Sequence, residues 1–172
     1  AAPAEEEAAE EAPEGDAAGD FAVAMITDSG DITDQSFNQA TYEACVAFCD
    51  ANGIDFNYYK PTDDSDDARI ASTEQAIDEG YNVIIMPGYL FAAAVAECAP
   101  ENPEVSFIVL DDSSAEGLDN VYEAIYQEEL PGYMAGYAAV KLGYKHLGFL
   151  GGMSVPAVIR YGYGYVQGAN AT

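Results

Sequence analysis

Residues 21–39 read FAVAMITDSGDITDQSFNQ, and the fold is decided there. Six apolar residues, 21–26, have the length of a buried strand and end abruptly in a polar loop. That loop carries Asp28, Asp31 and Asp34, with Ser29 and Gly30 and no base. Ser36-Phe37-Asn38-Gln39 then has the form of a capping box, with Ser36 as N-cap and Gln39 three residues later, so a helix starts here. Strand, loop and helix N-terminus in that order make the ligand-facing corner of an open α/β sheet, where ligands sit outside the carboxyl ends of the strands.

The same alternation runs outward from this stretch. A helix is expected over 37–52, closed by Gly53 in the left-handed position, then a strand over 55–61. A second helix over 66–79 has acids in its first turn, Ile70, Thr73 and Ile77 on one face, and Gly80 as its stop. The strand NVIIMPG (82–88) follows, then an alanine-rich helix over 91–98 halted by Pro100, and strands over 106–112 and 121–126. Short apolar strands alternating with helices signal an α/β fold with a doubly wound parallel sheet covered on both faces. Right-handed crossovers then bring loops 28–34, 61–67, 86–90 and 111–114 to one edge. Beyond 126 come a helix (128–142), a strand (146–151) and a helix from 156, and the chain ends inside this unit. The expected division is a disordered acidic tether at 1–20, a first α/β lobe at 21–126, and the truncated start of a second lobe at 127–172.

Composition narrows the function. Hydrophobic residues make up 49%, with 7 Phe and 13 Tyr, enough for the core of an ordinary domain. Acids outnumber bases 31 to 5, a formal charge of −26; eight acids fall in residues 1–20, leaving 23 against five in the remainder. Such a surface repels phosphate backbones and anionic headgroups, which argues against nucleic-acid binding. Residues 1–20 are low-complexity Ala, Glu, Pro and Gly, the composition of a solvated tether. Cys45 and Cys49 stand four apart on one helix, a poor geometry for a mutual bridge, and with His146 far away a zinc site lacks ligands. Buried free thiols are expected at Cys45, Cys49 and Cys98.

The first loop would repel a phosphate, since phosphate-cradling loops are glycine-rich and leave their site electropositive. Ionised carboxylates only accept hydrogen bonds, so the loop suits a ligand rich in N–H and O–H donors, such as a sugar, nucleoside or amine. Asp28, just beyond the strand with Ser29 beside it, is the best-placed acceptor; Asp31 and Asp34 read equally well as turn formers. Phe37, at the first helical position, can pack into the core or present its face to a flat ligand. Asn38 offers both a donor and an acceptor. Met86 and Gly88 close the third strand, where the glycine either lets a ligand approach the backbone or makes a plain turn after Pro87. Asp111, with Asp112, closes the fourth strand at the same edge.

Other patterns fail. Gly162-x-Gly164-x-x-x-Gly168 has one residue too many for a dinucleotide fingerprint and lies within a helix. Asp63-x-Ser65-x-Asp67 with Glu74 mimics a calcium loop, but Ala68 stands where the turn needs glycine, and helix capping explains these acids better. No catalytic constellation stands out, and no cofactor or metal is expected.

The segments Ile26–Gln39, Val83–Tyr89, Phe107–Asp111, Tyr133-Met-Ala-Gly-Tyr-Ala-Ala139 and Gly148-Phe-Leu-Gly-Gly-Met-Ser-Val-Pro156, leading to Tyr161-Gly-Tyr-Gly-Tyr165, carry a resemblance. Together they resemble the basic membrane protein family of bacterial ABC-transporter substrate-binding lipoproteins, whose best-understood branch is the purine nucleoside receptors. The resemblance implies a type I periplasmic-binding-protein fold, two α/β lobes clamping a ligand. It also implies that Asp28 and Asp111 hold a ribose while Phe37 stacks on a base with Asn38 beside it. The chain departs from the family at Asp31-Ile-Thr-Asp34, where a second glycine and an Asn-Asp pair are usual, and at Tyr161 and Tyr165, where phenylalanines are.

What the resemblance implies is a non-catalytic solute-capture protein for a nucleoside-like ligand, working with an ABC permease and ATPase. It would be extracytoplasmic and held to the cell membrane through a lipid anchor outside this sequence. Two alternatives stand beside it: a sensory or regulatory module of the same fold, and a nucleotide-utilising α/β enzyme, which the acidic loop and missing fingerprint disfavour.

Overall fold

A computed structural model describes residues 21–113, 115 and 117–171, so the expected tether at 1–20 lies outside the described residues. Five strands, β1 (Ala22–Ile26), β2 (Asp55–Tyr59), β3 (Val83–Pro87), β4 (Ser106–Leu110) and β5 (Val121–Ala124), form one all-parallel sheet. Their order is β2-β1-β3-β4-β5, the doubly wound arrangement that the alternating elements predict. Helix α1 (Phe37–Asn52) links β1 to β2, α2 (Asp66–Asp78) links β2 to β3, and α3 (Ala92–Glu101) links β3 to β4. Two further helices follow the sheet, α4 (Glu129–Lys141) and α5 (Pro156–Asn170).

Strand alternation divides the side chains between two faces. Ala24, Ile26, Ile84, Met86, Phe107 and Val109 point towards α2 and α3 and are at most 1% exposed. Burying a side chain such as Ile84 or Phe107 stabilises the fold by about 1.5–3 kcal/mol. On the opposite face α1 packs over β1, β2 and β3. Beside it an apolar groove of about 370 Å³ remains, bordered by Phe37, Phe48, Ile85, Ile108, Leu110 and Tyr126.

Helix ends follow the sequence signals in most places. Gly53 at φ +67 closes α1, Gly80 at φ +96 follows α2, and Ser65 caps α2 by accepting from the Ala68 N–H. The first helix departs from its expected cap. Ser36 makes no side-chain cap hydrogen bond, because the left-handed turn at Gln35 (φ +54) brings Asp34 to face the helix instead. Asp34 Oδ1 accepts from the N–H groups of Ser36 (2.8 Å) and Gln39 (3.1 Å), while the Gln39 side chain accepts from the Gln35 N–H at 3.0 Å.

Two other expectations are corrected. A 3₁₀ turn, Tyr89–Phe91, precedes α3, and Pro100 lies inside the last turn of that helix rather than ending it. So near the end the proline removes few helical bonds, and the Asn102 side chain satisfies a terminal carbonyl by donating to Cys98 O at 2.8 Å. Residues 146–151 form no strand. Apolar alternation there meets the pattern but not the partner: the segment pairs with neither edge strand, β2 nor β5, and Leu150 is 98% exposed.

Helices α4 and α5 pack on each other, with Gly132 and Gly136 facing Gly164 and Gly168 across the contact. A Cβ on Gly132 or Gly136 would strike the carbonyl oxygens of Tyr161 or Tyr165, and one on Gly164 or Gly168 those of Glu129 or Tyr133. Gly164 and Gly168, two of the three glycines that mimic a dinucleotide fingerprint, therefore serve a close approach of two backbones.

Candidate functional site

All five strands end at one edge, and the strand order decides what meets there. From β1 the chain leaves to β2 on one side and returns past it to β3 on the other, so the crevice between β1 and β3 is the topological switch point. Asp28 leaves β1 on one side of that crevice and Gly88 leaves β3 on the other. Asp111 follows β4, two strand spacings or about 10 Å from β1.

The first loop is built around Asn38, which is 2% exposed. Its Oδ1 accepts from the Asp28 N–H at 3.1 Å, and its Nδ2 donates to Asp28 Oδ1 at 2.7 Å and Asp34 Oδ2 at 2.9 Å. Gly30 adds a backbone bond to Asp28 Oδ1 at 2.6 Å, and a Cβ there would lie 2.5 Å from Asn38 Nδ2. Expected at a ligand's edge, the Asn38 amide has both its N–H groups committed to carboxylates of its own loop. It orients Asp28 rather than offering donors outward.

The three loop acids divide accordingly. Asp31 pairs with Lys60 at 2.8 Å, and that hydrogen bond holds its carboxyl below the usual range. For Asp34, burial pushes the carboxyl up, but hydrogen bonds from Asn38, Gln39 and Ser36 outweigh it and leave the group lowered. Both side-chain hydrogen bonds that Asp28 accepts among the described residues fall on Oδ1. Ser29 beside it is exposed.

Phe37 is half-buried at the first position of α1, its ring edge-on to Tyr126 with centroids 6.4 Å apart. Tyr126, which sequence reasoning missed, follows β5 and is 52% exposed; an aromatic just past a strand's carboxyl end was the available signal. Gly88 adopts φ +117, a conformation reserved for glycine, with open space where a Cβ would stand. Met86 is corrected: it is 0% exposed and points with Ile84 into the core beneath α2 and α3, because strand alternation turns it away from the edge. Asp111 sits at φ +65, its N–H donating to Ala124 O at 2.7 Å, and burial, then Glu128, push its carboxyl up.

Among the described residues no three His, Cys, Asp or Glu side chains gather as a metal would require. The three cysteines are free and buried, and burial pushes Cys45 and Cys98 up to about 11, so both stay protonated at neutral pH.

The model of the Bmp family, described as ABC transporter substrate-binding protein PnrA-like, matches residues 21–172. The chain belongs to the Bmp family. A Bmp relative, the ABC transporter nucleoside-binding protein BmpA of Lactococcus lactis subsp. cremoris, is 30% identical over 157 residues, 88% of this chain and 44% of its own length. An uncharacterized lipoprotein of Pyrococcus abyssi is 25% identical over 151 residues, 86% of this chain and 37% of its own. Among solved structures, an ABC transporter solute-binding protein from Aeropyrum pernix superposes with a TM-score of 0.74 at 22% identity, over 88% of this chain and 43% of that one. That last likeness is one of fold. The chain spans less than half the length of the relatives it matches.

Proposed function

We propose that the protein captures a nucleoside-like solute, a purine nucleoside foremost, as the non-catalytic substrate-binding component of an ABC importer. The observation that carries this reading is the Asn38-built cradle, which holds Asp28 by its N–H and Oδ1 beside the switch point and takes up no bond of Oδ2 among the described residues. Ribose hydroxyls would donate to Asp28 and Asp111, and the base would lie on Phe37, whose ring Tyr126 braces from the edge. Ser29 and Gly88 border the same crevice. The nucleoside-binding name of the Lactococcus relative supports the ligand class.

In this reading residues 21–126 are one lobe, and the segment from Gln127 begins a second that closes over the ligand. The exposed apolar side chains of that segment, among them Met134 (70%), Leu142 (78%) and Leu150 (98%), fit a surface that the rest of a second lobe covers. The partners are a permease and its ATPase. The protein would be held outside the cytoplasm by a lipid anchor upstream of the acidic residues 1–20, which act as a tether.

Calorimetric titration of the full reading frame against inosine, guanosine, adenosine, ribose and free purines tests the proposal. Nucleosides should bind, and Asp28→Ala and Phe37→Ala should each weaken binding at least tenfold, ~1.4 kcal/mol. A silent purine panel with another solute binding overturns the ligand class; wild-type affinity in both variants removes the site.

A further inference from the structure

At the seam between the sheet edge and the helix pair lies a group of charges. Glu128 immediately precedes α4, and Arg160 lies near the start of α5. Arg160 Nε donates to Glu128 Oε2 at 2.6 Å, with the Glu128 side chain 13% exposed and Arg160 34%. Glu128 in turn meets Asp111. Asp111 Oδ1 and Glu128 Oε1 are both closed off from solvent and take no hydrogen bond. Two ionised carboxylates have no donor to offer each other, so this contact is satisfied only by a shared proton or by a donor from elsewhere. Beside it is a cavity of about 20 Å³, water-sized, lined by Tyr89, Asp111, Asp112, Val155, Pro156 and Arg160. The acids around the seam are Asp111 and Asp112 just after β4, Glu128 just before α4 and Glu129 at its start; Arg160 from α5 is the cation facing them.

We propose that Arg160, acting through Glu128, is the positioning residue for Asp111: it fixes Glu128 and so leaves the Asp111 carboxylate aimed as an acceptor for a ligand hydroxyl. This rests on the reading of Asp111 as a ligand-binding acid. Its consequence is that capture at β4 depends on α5 being seated at the sheet edge, which ties the ligand site to the closing segment. The charges point the same way. Burial first, then Glu128, push Asp111 up, and Arg160 pulls it down; the hydrogen bond from Arg160 holds Glu128 below the usual range. Without the guanidinium the pair retains a proton to higher pH, and the shared proton leaves Asp111 a poorer acceptor for the ligand. An ionised Asp111 binds above its titration midpoint and fails as pH falls through it, so loss of Arg160 moves that failure upward.

The test is carbon-13 carboxyl titration of Asp111 in the ligand-free full reading frame, paired with calorimetric affinity for guanosine at one pH below and one pH above the midpoint so measured. Arg160→Met should raise the Asp111 midpoint by about one pH unit, as loss of a close opposite charge does, and weaken binding more below that raised midpoint than above it. Arg160→Lys should return both towards wild type. Glu128→Gln, which removes the like charge and supplies a donor, should lower the midpoint. An unmoved midpoint in Arg160→Met, an equal loss of affinity at both pH values, or no recovery with lysine overturns the proposal. Because the titration needs no ligand, a moved midpoint in a protein that binds no nucleoside contradicts the nucleoside reading and not the coupling.

Discussion

A carboxylate two residues ahead of an N-cap can take over the helix's free N–H groups when the intervening backbone turns left-handed, and Asp34 does so across Gln35. It also holds Asn38, which holds Asp28, so the Asp28 carboxylate is oriented at two removes. Asp34→Ala should cost about 1 kcal/mol of stability, the usual value of a cap, read by denaturant unfolding, while Ser36→Ala should change little. Since its folded-state carboxyl is lowered, Asp34 contributes stability that is present above the ordinary 3.8 and lost as pH falls below it. A flat stability profile through that acid range would contradict this role. The positions of Asp28, Phe37 and Asp111 were legible because each follows a strand or opens a helix at an edge that the alternation defines. Asn38's inward role and Arg160's partner were not, because both depend on contacts between residues 10 and 32 positions apart. Met86 was misplaced for a simpler reason: strand parity, which the sequence contains, sends it to the core.

Elements were easier to read than their contacts. Apolar runs define β1, β3 and β4, and glycines stop α1 and α2, because local pattern and tertiary burial agree there. At residues 146–151 they disagree, for a strand is a relation between two segments and no described segment pairs with this one. The α4–α5 pair was hidden in glycines whose spacing suggested another motif. Gly136→Ala should force the two helices apart, since the added methyl meets the Tyr165 carbonyl, a rigid backbone atom. We expect about 1–3 kcal/mol of destabilisation, as overpacking costs elsewhere, with amide exchange in α4 and α5 accelerating while that of β1 and β3 stays slow. Equal acceleration throughout would mean that the helix pair does not unfold separately from the sheet.

At the scale of the molecule, a strongly acidic surface coexists with a large apolar exposure concentrated beyond residue 126. Residues 21–172 alone should therefore take up a neutral apolar dye such as Nile red, and the full reading frame should take up less per mole. Equal uptake would show that these side chains stay uncovered, against a two-lobed clamp. In the proposed reading Asp28, Asp111 and Phe37 form one half of a nucleoside site. A crystal structure of the full reading frame grown with guanosine tests it most directly. We expect ribose hydroxyls on the carboxylates of Asp28 and Asp111 and the purine ring against Phe37. Guanosine bound away from the crevice between β1 and β3, or lying there with its ribose turned from both acids, would contradict it.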